Sequence, residues 1–436
     1  MSGVWLLLGL LVLAYTGSML VGGRALRGYG LPSGVEFVLL GFVFGPHLLD
    51  LAPRELVLSF EPLLLAALGW LGVGLGVDYG VVGERRTYRG SVAIGVGTSL
   101  VVAGFVFAVI YLVGSQIAGP HQSGLIPLAL VLAVCLSETT RHAVRWVVER
   151  YGADGPVSHL LADISDTDDA LPLLATAVVL AMAPRALPWD FAVTIGVTLG
   201  IGVLLGLTTA LLLGREFRRD ETWGLMLGAA VLGIGLAARL ELSPMAMMFT
   251  FGVTLVGTTK HRKALREMVG ATERPVLLPM LVLAGTLIDL EMSWQMGLLI
   301  ALGLVARLVM RVVAGFGLLA VSKPSRVVGP WIGLTTCSSG ALSIAVGILF
   351  YIYFPGEIGE AGLLAAAVSA LVGELIGPAS LRRGLHAAGE IREASLAIDE
   401  APPRRSRTSG VTEEPPASDG AAPSQPSVVI EGEERS

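Results

Sequence analysis

The sequence predicts an all-α polytopic membrane protein with about thirteen transmembrane helices. Three observations carry this prediction. Of the 436 residues, 53% are hydrophobic and only 15% charged, and the mean hydropathy is +0.74, too apolar for a soluble globule or a soluble enzyme fold. The apolar residues fall into runs that match the about 20 residues a helix needs to cross a bilayer. Lys and Arg alternate between successive loops in register with those runs, as short cytoplasmic loops require.

In chain order the apolar segments lie near Gly3 to Val21, Leu31 to Leu49, Val57 to Tyr79, Ser91 to Val113, Leu125 to Val148, His159 to Met182 and Phe191 to Leu213. Six more follow, near Trp223 to Ala238, Pro244 to Val256, Pro275 to Leu290, Met296 to Val321, Val328 to Tyr353 and Ile358 to Ile376. The Pro244 segment is short enough to be part of a tilted or re-entrant helix. The first segment has neither a basic flank nor a small-residue cleavage site, and it reads as a retained helix. Residues 1–384 are expected to form the membrane domain. The polar stretch 385–436, rich in Pro, Ser, Glu and Arg, is expected to be a disordered tail.

The odd-numbered loops hold Arg24 and Arg27; Arg85, Arg86 and Arg89; Arg150; Arg215, Arg218 and Arg219; Lys260, Arg262, Lys263, Arg266 and Arg274; Lys323 and Arg326. The even-numbered loops hold little beyond Arg54, Arg185 and Arg239. This pattern places the N-terminus outside and the C-terminus in the cytoplasm of a plasma membrane, expected to be a bacterial inner membrane. The net charge of −5 gives no nucleic-acid footprint. Cys135 and Cys337 lie inside apolar runs, which leaves no disulfide framework and no CxxC metal site. No cofactor is implied.

Charged residues at membrane depth are expensive and are functional candidates by default. The densest set is DISDTDDALPLL, holding Asp163, Asp166, Asp168 and Asp169. Counting from His159, Asp168 and Asp169 lie roughly 14 to 15 Å deep. Adjacent helical residues project about 100° apart, so one Asp can face a cavity while its neighbour turns to a cation. Asp163, Asp166 and Asp169 share a face. The counter-charge is sought in GLVARLVMRVVAG, where Arg307 and Arg311 are four apart; Arg311 matches the Asp pair in depth, and either Arg is a candidate partner.

Two other spans carry polar residues near mid-span. One holds Ser137, Glu138, Thr139, Thr140, Arg141 and His142; the other holds Thr335, Thr336, Cys337, Ser338, Ser339 and Gly340. Ser and Thr often serve only to pack helices together. Paired interruptions in the two halves of a chain nonetheless point to a transporter site, because unwound backbone offers carbonyls and half-helix ends to an ion. Gly-rich WLGVGLGVDYG lies inside a hydrophobic span without the strand or Lys of a phosphate loop, and is read as a helix-packing surface.

These stretches resemble those of the monovalent cation/proton antiporters, in the branch of sodium/proton and Kef-type exchangers. The resemblance runs from about Leu31 to Gly377. LPSGVEFVLLGFVFGPHLLDL is similar to the family's early LP…GP helix, and LGVGLGVDY to its GLE helix end, with Asp78 near the acidic position. LSETTRHAVRWVVERYG resembles the unwound SST helix, with Thr139 on the family's Thr. TDDALPLLATA resembles the aspartate-pair motif, and SPMAMMFTFGVTLVGT with RPVLLPMLVLAGTLIDL resembles the two helices that follow. The resemblance implies inverted-topology repeats, two crossed discontinuous helices, a homodimer, and an ion site at Asp168 and Asp169, the latter as principal ligand. Arg311 falls where aspartate-pair exchangers place a Lys. The chain also departs from the pattern in carrying Glu138, Arg141 and His142 in the unwound segment and the extra acid Asp166.

The expected activity is exchange of a monovalent cation, Na+ first and K+ second, for protons, through competition at the Asp pair and movement of a core bundle against a scaffold. Arg effectively cannot lose its proton, which makes Arg311 a competing counter-ion rather than a proton carrier. The alternatives are a sodium-coupled organic-anion symporter on the same architecture, and a non-transporting membrane sensor or scaffold in which Glu138, Arg141 and His142 lock the site through ion pairs. An intramembrane hydrolase lacks a paired nucleophile and base.

Overall fold

The computed structural model describes residues 34–85, 90–117, 124–184, 186–214 and 219–391, together with Trp5, Leu8, Gly9 and Val12. The expected helix at Gly3 to Val21, apart from those four residues, and residues 392–436 of the expected tail lie outside the described residues, as do Arg24, Arg27, Arg86, Arg89, Arg185, Arg215 and Arg218. Among the described residues the chain is all helix, without a strand. We number the helices α1 (Val35–Phe44), α2 (Arg54–Leu58), α3 (Glu61–Arg85), α4 (Ser91–Ile117), α5 (Leu125–Cys135), α6 (Arg141–Tyr151), α7 (Pro156–Thr167), α8 (Ala170–Leu180) and α9 (Phe191–Leu213). There follow α10 (Arg219–Arg239), α11 (Pro244–Thr258), α12 (Arg262–Leu287), α13 (Trp294–Val321), the short α14 (Ser325–Val328) and α15 (Ile332–Thr335), α16 (Ala341–Tyr353) and α17 (Glu357–Ala387). Seven of these helices contain stretches long and apolar enough to cross a membrane, and α1, α5, α11 and α16 are apolar but shorter.

Packing divides the helices into two bundles. In the first, α3 lies against α11 and α12, α12 against α1, and α9 and α10 against α11. In the second, α4 packs on α5, α7 and α13, and α17 packs on α5, α6, α15 and α16. The α3–α11 crossing depends on glycine: a Cβ at Gly72 would come within 2.6 Å of the Met245 carbonyl oxygen, and one at Gly76 within 3.0 Å of Val253 N. The Gly-rich run is thus a close-packing surface, as small residues are at membrane helix interfaces.

Three expected segments take a different form. The sixth, His159 to Met182, is two helices, α7 and α8, with Asp168 and Asp169 at their junction. Pro172 has no N–H to give the Asp168 carbonyl four residues back, and the Thr167 hydroxyl bonds back to the Asp163 carbonyl at 2.7 Å; together these interrupt the helical ladder at the acids. The tenth does not begin at Pro275. Helix α12 starts thirteen residues earlier, at Arg262, and carries Pro275 and Pro279 inside it. Proline commonly marks a first helical turn, and here that signal misplaced the start: Arg262, Lys263, Arg266 and Arg274 are helical, not loop, residues. The last helix, α17, runs past Pro378 to Ala387, and Leu385 and Ile391 beyond Ile376 are buried against α6 and α7.

Candidate functional site

The two polar interruptions sit side by side. Between α5 and α6, residues 136–140 leave the helix; between α15 and α16, residues 336–340 do the same. They are stitched together by Thr140 N donating to the Ser338 carbonyl at 3.3 Å and by the Thr139 hydroxyl donating to the Thr336 carbonyl at 3.1 Å. Each interruption therefore presents the carbonyl end of one half-helix and the N–H end of another at the middle of the second bundle.

Two arginines from α13 meet the carbonyl ends. Arg307 donates to the carbonyls of Cys337 at 3.0 Å, Glu138 at 2.9 Å and Ser338 at 3.1 Å, bridging both interruptions. Arg311 donates to the Ser137 carbonyl through Nη2 and places Nη1 3.6 Å from Asp168 Oδ2. Positive charge at helix C-termini is favourable because the dipole is negative there. The arginines thus divide the work: Arg307 clamps the crossing, and Arg311 faces the acids. The carbonyls that the sequence offered to an ion are, at Ser137, Glu138, Cys337 and Ser338, already held by guanidinium groups.

Glu138 meets an N–H end. Its Oε2 accepts from Ser343 N at 2.6 Å and from the Ser343 hydroxyl, capping α16. Ser339 and Ser343 share a hydroxyl hydrogen bond at 2.9 Å. Thr335 and Thr336 donate to their own preceding turn, to the Ile332 and Gly333 carbonyls at 2.6 and 2.9 Å, and Ser137 does likewise to Val134 at 3.0 Å. These hydroxyls finish the helix ends. The Ser338 hydroxyl is buried without a hydrogen bond.

Asp168 is 0% exposed and Asp169 5%. Asp168 has Arg311 and the Thr139 side chain beside it, and Asp169 Oδ1 has no hydrogen bond. Asp169, but not Asp168, lines a narrow pocket with room for about one water, together with Glu138, Thr140, Arg141, Glu273 and Ala341. Asp166 is drawn elsewhere: its Oδ1 accepts from Arg145 at 2.8 Å, at the rim of the bundle rather than beside its two neighbours. Asp163 is buried one turn further away.

A second charged cluster adjoins that pocket: the sequence singles out Asp78, Arg141 and His142 without joining them, and Glu273 is the member it does not show. Arg141 donates to Asp78 and, at 2.6 Å, to Glu273. Arg266 donates to Asp78 at 2.6 Å, and His142 Nε2 is 3.5 Å from Glu273. Glu273 was hidden because TERP reads as the end of a basic loop. The signal that could have found it is its spacing, seven residues from Arg266 on one continuous helical face.

Adjacent buried carboxylates, flanked by a fixed cation in the middle of an apolar bundle, form an arrangement that can bind a small cation or protons in turn. The profile of the family described as "Sodium/hydrogen exchanger, transmembrane" matches residues 11–381. The chain belongs to this family of exchangers. The exchanger is similar in fold to the sodium proton antiporter MjNhaP1 from Methanocaldococcus jannaschii. A structure of that antiporter at pH 8 superimposes with a TM-score of 0.64 at 17% identity, covering 86% of this chain and 98% of that one. An electron-microscopy structure gives 0.65 at 18% identity, covering 88% and 98%. No curated protein sequence matches the exchanger. It is a multi-pass membrane protein with the antiporter fold, and its family is one of transporters rather than enzymes.

Proposed function

We propose that the exchanger moves a monovalent cation, Na+ before K+, against protons at Asp168 and Asp169. The observation that carries this reading is the pair itself: two adjacent buried carboxylates, one beside Arg311 and Thr139, the other with Oδ1 unclaimed by any hydrogen bond and on a pocket. Asp169 is the principal ligand, with Thr140 on the same pocket; Thr139 ties the crossing through its hydroxyl and lies against Asp168. Asp168 shares its charge with Arg311, so the site carries one acid in excess, which a cation or a proton neutralises. Either cargo discharges the site, and a neutral site crosses an apolar seam more cheaply than a charged one.

The second bundle, which holds the acids and both interruptions, is the moving part, and the first is the scaffold through which two copies associate. Residues 1–384 form the exchange domain in this reading, in a bacterial inner membrane with the N-terminus outside. Residues 385–436 begin a cytoplasmic tail whose first turn, through Ile391, packs back on α6 and α7. The test is cation-dependent proton flux in proteoliposomes screened across Na+, K+ and Li+. Asp169→Asn is expected to abolish flux while leaving the protein folded; flux that survives refutes the assignment. Uptake of a labelled organic anion driven by a sodium gradient would instead favour symport, and cation binding without turnover a sensor.

A further inference from the structure

Arg141 is the first residue of α6, directly after the crossing, and it is buried, with 4% of its surface exposed. It belongs to the bundle that carries the acid pair, yet every hydrogen bond its side chain is seen to make reaches the other bundle: Asp78 on α3 and Glu273 on α12. Arg266, also on α12, holds the second oxygen of Asp78. The cluster balances two guanidinium groups against two carboxylates. Two cavities meet at this point. One is narrow and runs between α3 and α12 from Ala67 and Met280 to Asp78 and Arg266, the last two toward the end where α3 finishes and α12 begins. The other, with room for about one water, reaches Asp169. Leu71, Arg141, Glu273 and Leu277 line both.

We propose that Arg141 is the gate between the Asp169 pocket and one face of the membrane: clasped by Asp78 and Glu273 it closes the passage, and withdrawn with its bundle it opens it. The inference rests on Asp169 being the exchange site. Closure is steric, and the balanced cluster carries no net charge to draw a cation in. Opening changes that balance. Once Arg141 leaves, the scaffold wall keeps two carboxylates against the single charge of Arg266, and the passage that excluded cations collects them. The bonds broken are charge-assisted and part-buried, stronger than neutral hydrogen bonds, so the clasp sets how often this face opens.

The test reads access rather than transport. Leu75 lines the Asp169 pocket but not the other cavity, so Leu75→Cys reports entry past Arg141. The native Cys135 and Cys337 are buried, and the parent protein supplies the background. In proteoliposomes, a membrane-impermeant cationic methanethiosulfonate is applied to each face in turn. Leu75→Cys alone is expected to label slowly. Adding Glu273→Gln replaces a charged acceptor with a neutral one and is expected to raise labelling from one face about tenfold, the factor that 1.4 kcal/mol carries. Adding Arg141→Gln is expected to raise it further, and Arg141→Lys, which can hold one acid at a time, less. Asp78→Asn gives the same readout should Glu273→Gln fail to fold. Labelling unchanged by these substitutions, or raised equally from both faces as in general loosening, overturns the proposal. Because labelling needs no ion flux, a failure here is separate from survival of flux in Asp169→Asn, which would refute the exchange site itself.

Discussion

Arg311 Nη1 lies 3.6 Å from Asp168 Oδ2 while Nη2 of the same guanidinium donates to the Ser137 carbonyl, with both side chains at most 1% exposed. One side chain therefore joins the acid pair to the interrupted backbone. A lysine has a single nitrogen and can do only one of these things well. Arg311→Lys is expected to fold and to exchange with reduced maximal flux, because the charge is kept and the two-point hold is lost. Arg311→Gln leaves Asp168 buried without its cation, a change that costs about 3–5 kcal/mol. Thermal unfolding in detergent and flux in proteoliposomes check both; equal flux for wild type and Arg311→Gln would contradict the pairing.

Competition fixes the pH behaviour. If cation and proton occupy the same carboxylates in turn, added protons raise the cation concentration needed for half-maximal flux and leave the maximum unchanged. Initial rates measured across pH at saturating and sub-saturating Na+ check this. A maximum that falls with half-saturation fixed would mean separate sites for the two cargoes.

Much of this arrangement was legible from charge and hydropathy. Acids and arginines in apolar runs have so few acceptable environments that Asp168, Asp169, Arg307 and Arg311 could be singled out without coordinates. Both interruptions were visible as polar residues at mid-span. Beyond the depth match of Arg311 to the acids, what could not be read was the partner of each group. Asp166 and Asp169 share a helical face in sequence, yet one pairs with Arg145 and the other faces a pocket, because neighbouring helices decide which side is wet. The Arg141 clasp joins residues 63 and 132 positions apart, a relation that no periodicity encodes. The start of α12 was misread because proline has the same local signature at a helix start and inside a membrane helix, where neighbouring groups can take up the freed carbonyls.

Packing around the crossing is tight enough to test with a single methyl group. A Cβ at Gly373 of α17 would lie 3.0 Å from Ser339 Cβ and 3.1 Å from its Cα, closer than packed side chains tolerate without backbone movement. Gly373→Ala is expected to destabilise the protein by about 1–3 kcal/mol, the usual cost of overpacking, and to lower flux because the second interruption shifts. Gly97 has open space where its Cβ would be, and Gly97→Ala serves as the control, with little change in unfolding temperature or flux.

Glu138 separates two uses of a buried carboxylate. Its Oε2 accepts from Ser343 N at 2.6 Å and from the Ser343 hydroxyl, so its charge lies against the positive end of α16, where carboxylates are favoured. A group so engaged caps a helix rather than offering itself to cargo. Glu138→Gln keeps one acceptor oxygen of the same shape and loses the charge assistance, which is worth about 1 kcal/mol. It is expected to lower stability by roughly that amount and to retain exchange with little change in half-saturating cation. Glu138→Ala removes the acceptor and leaves the buried Ser343 N–H unpaired, at a cost of about 1–3 kcal/mol. If Glu138 were instead a cargo ligand, Glu138→Gln would raise half-saturation markedly and Glu138→Ala at least as much, because Gln keeps one neutral oxygen and Ala none. The split between stability and half-saturation therefore decides which role the carboxylate plays, and it does so independently of the fate of Asp169→Asn.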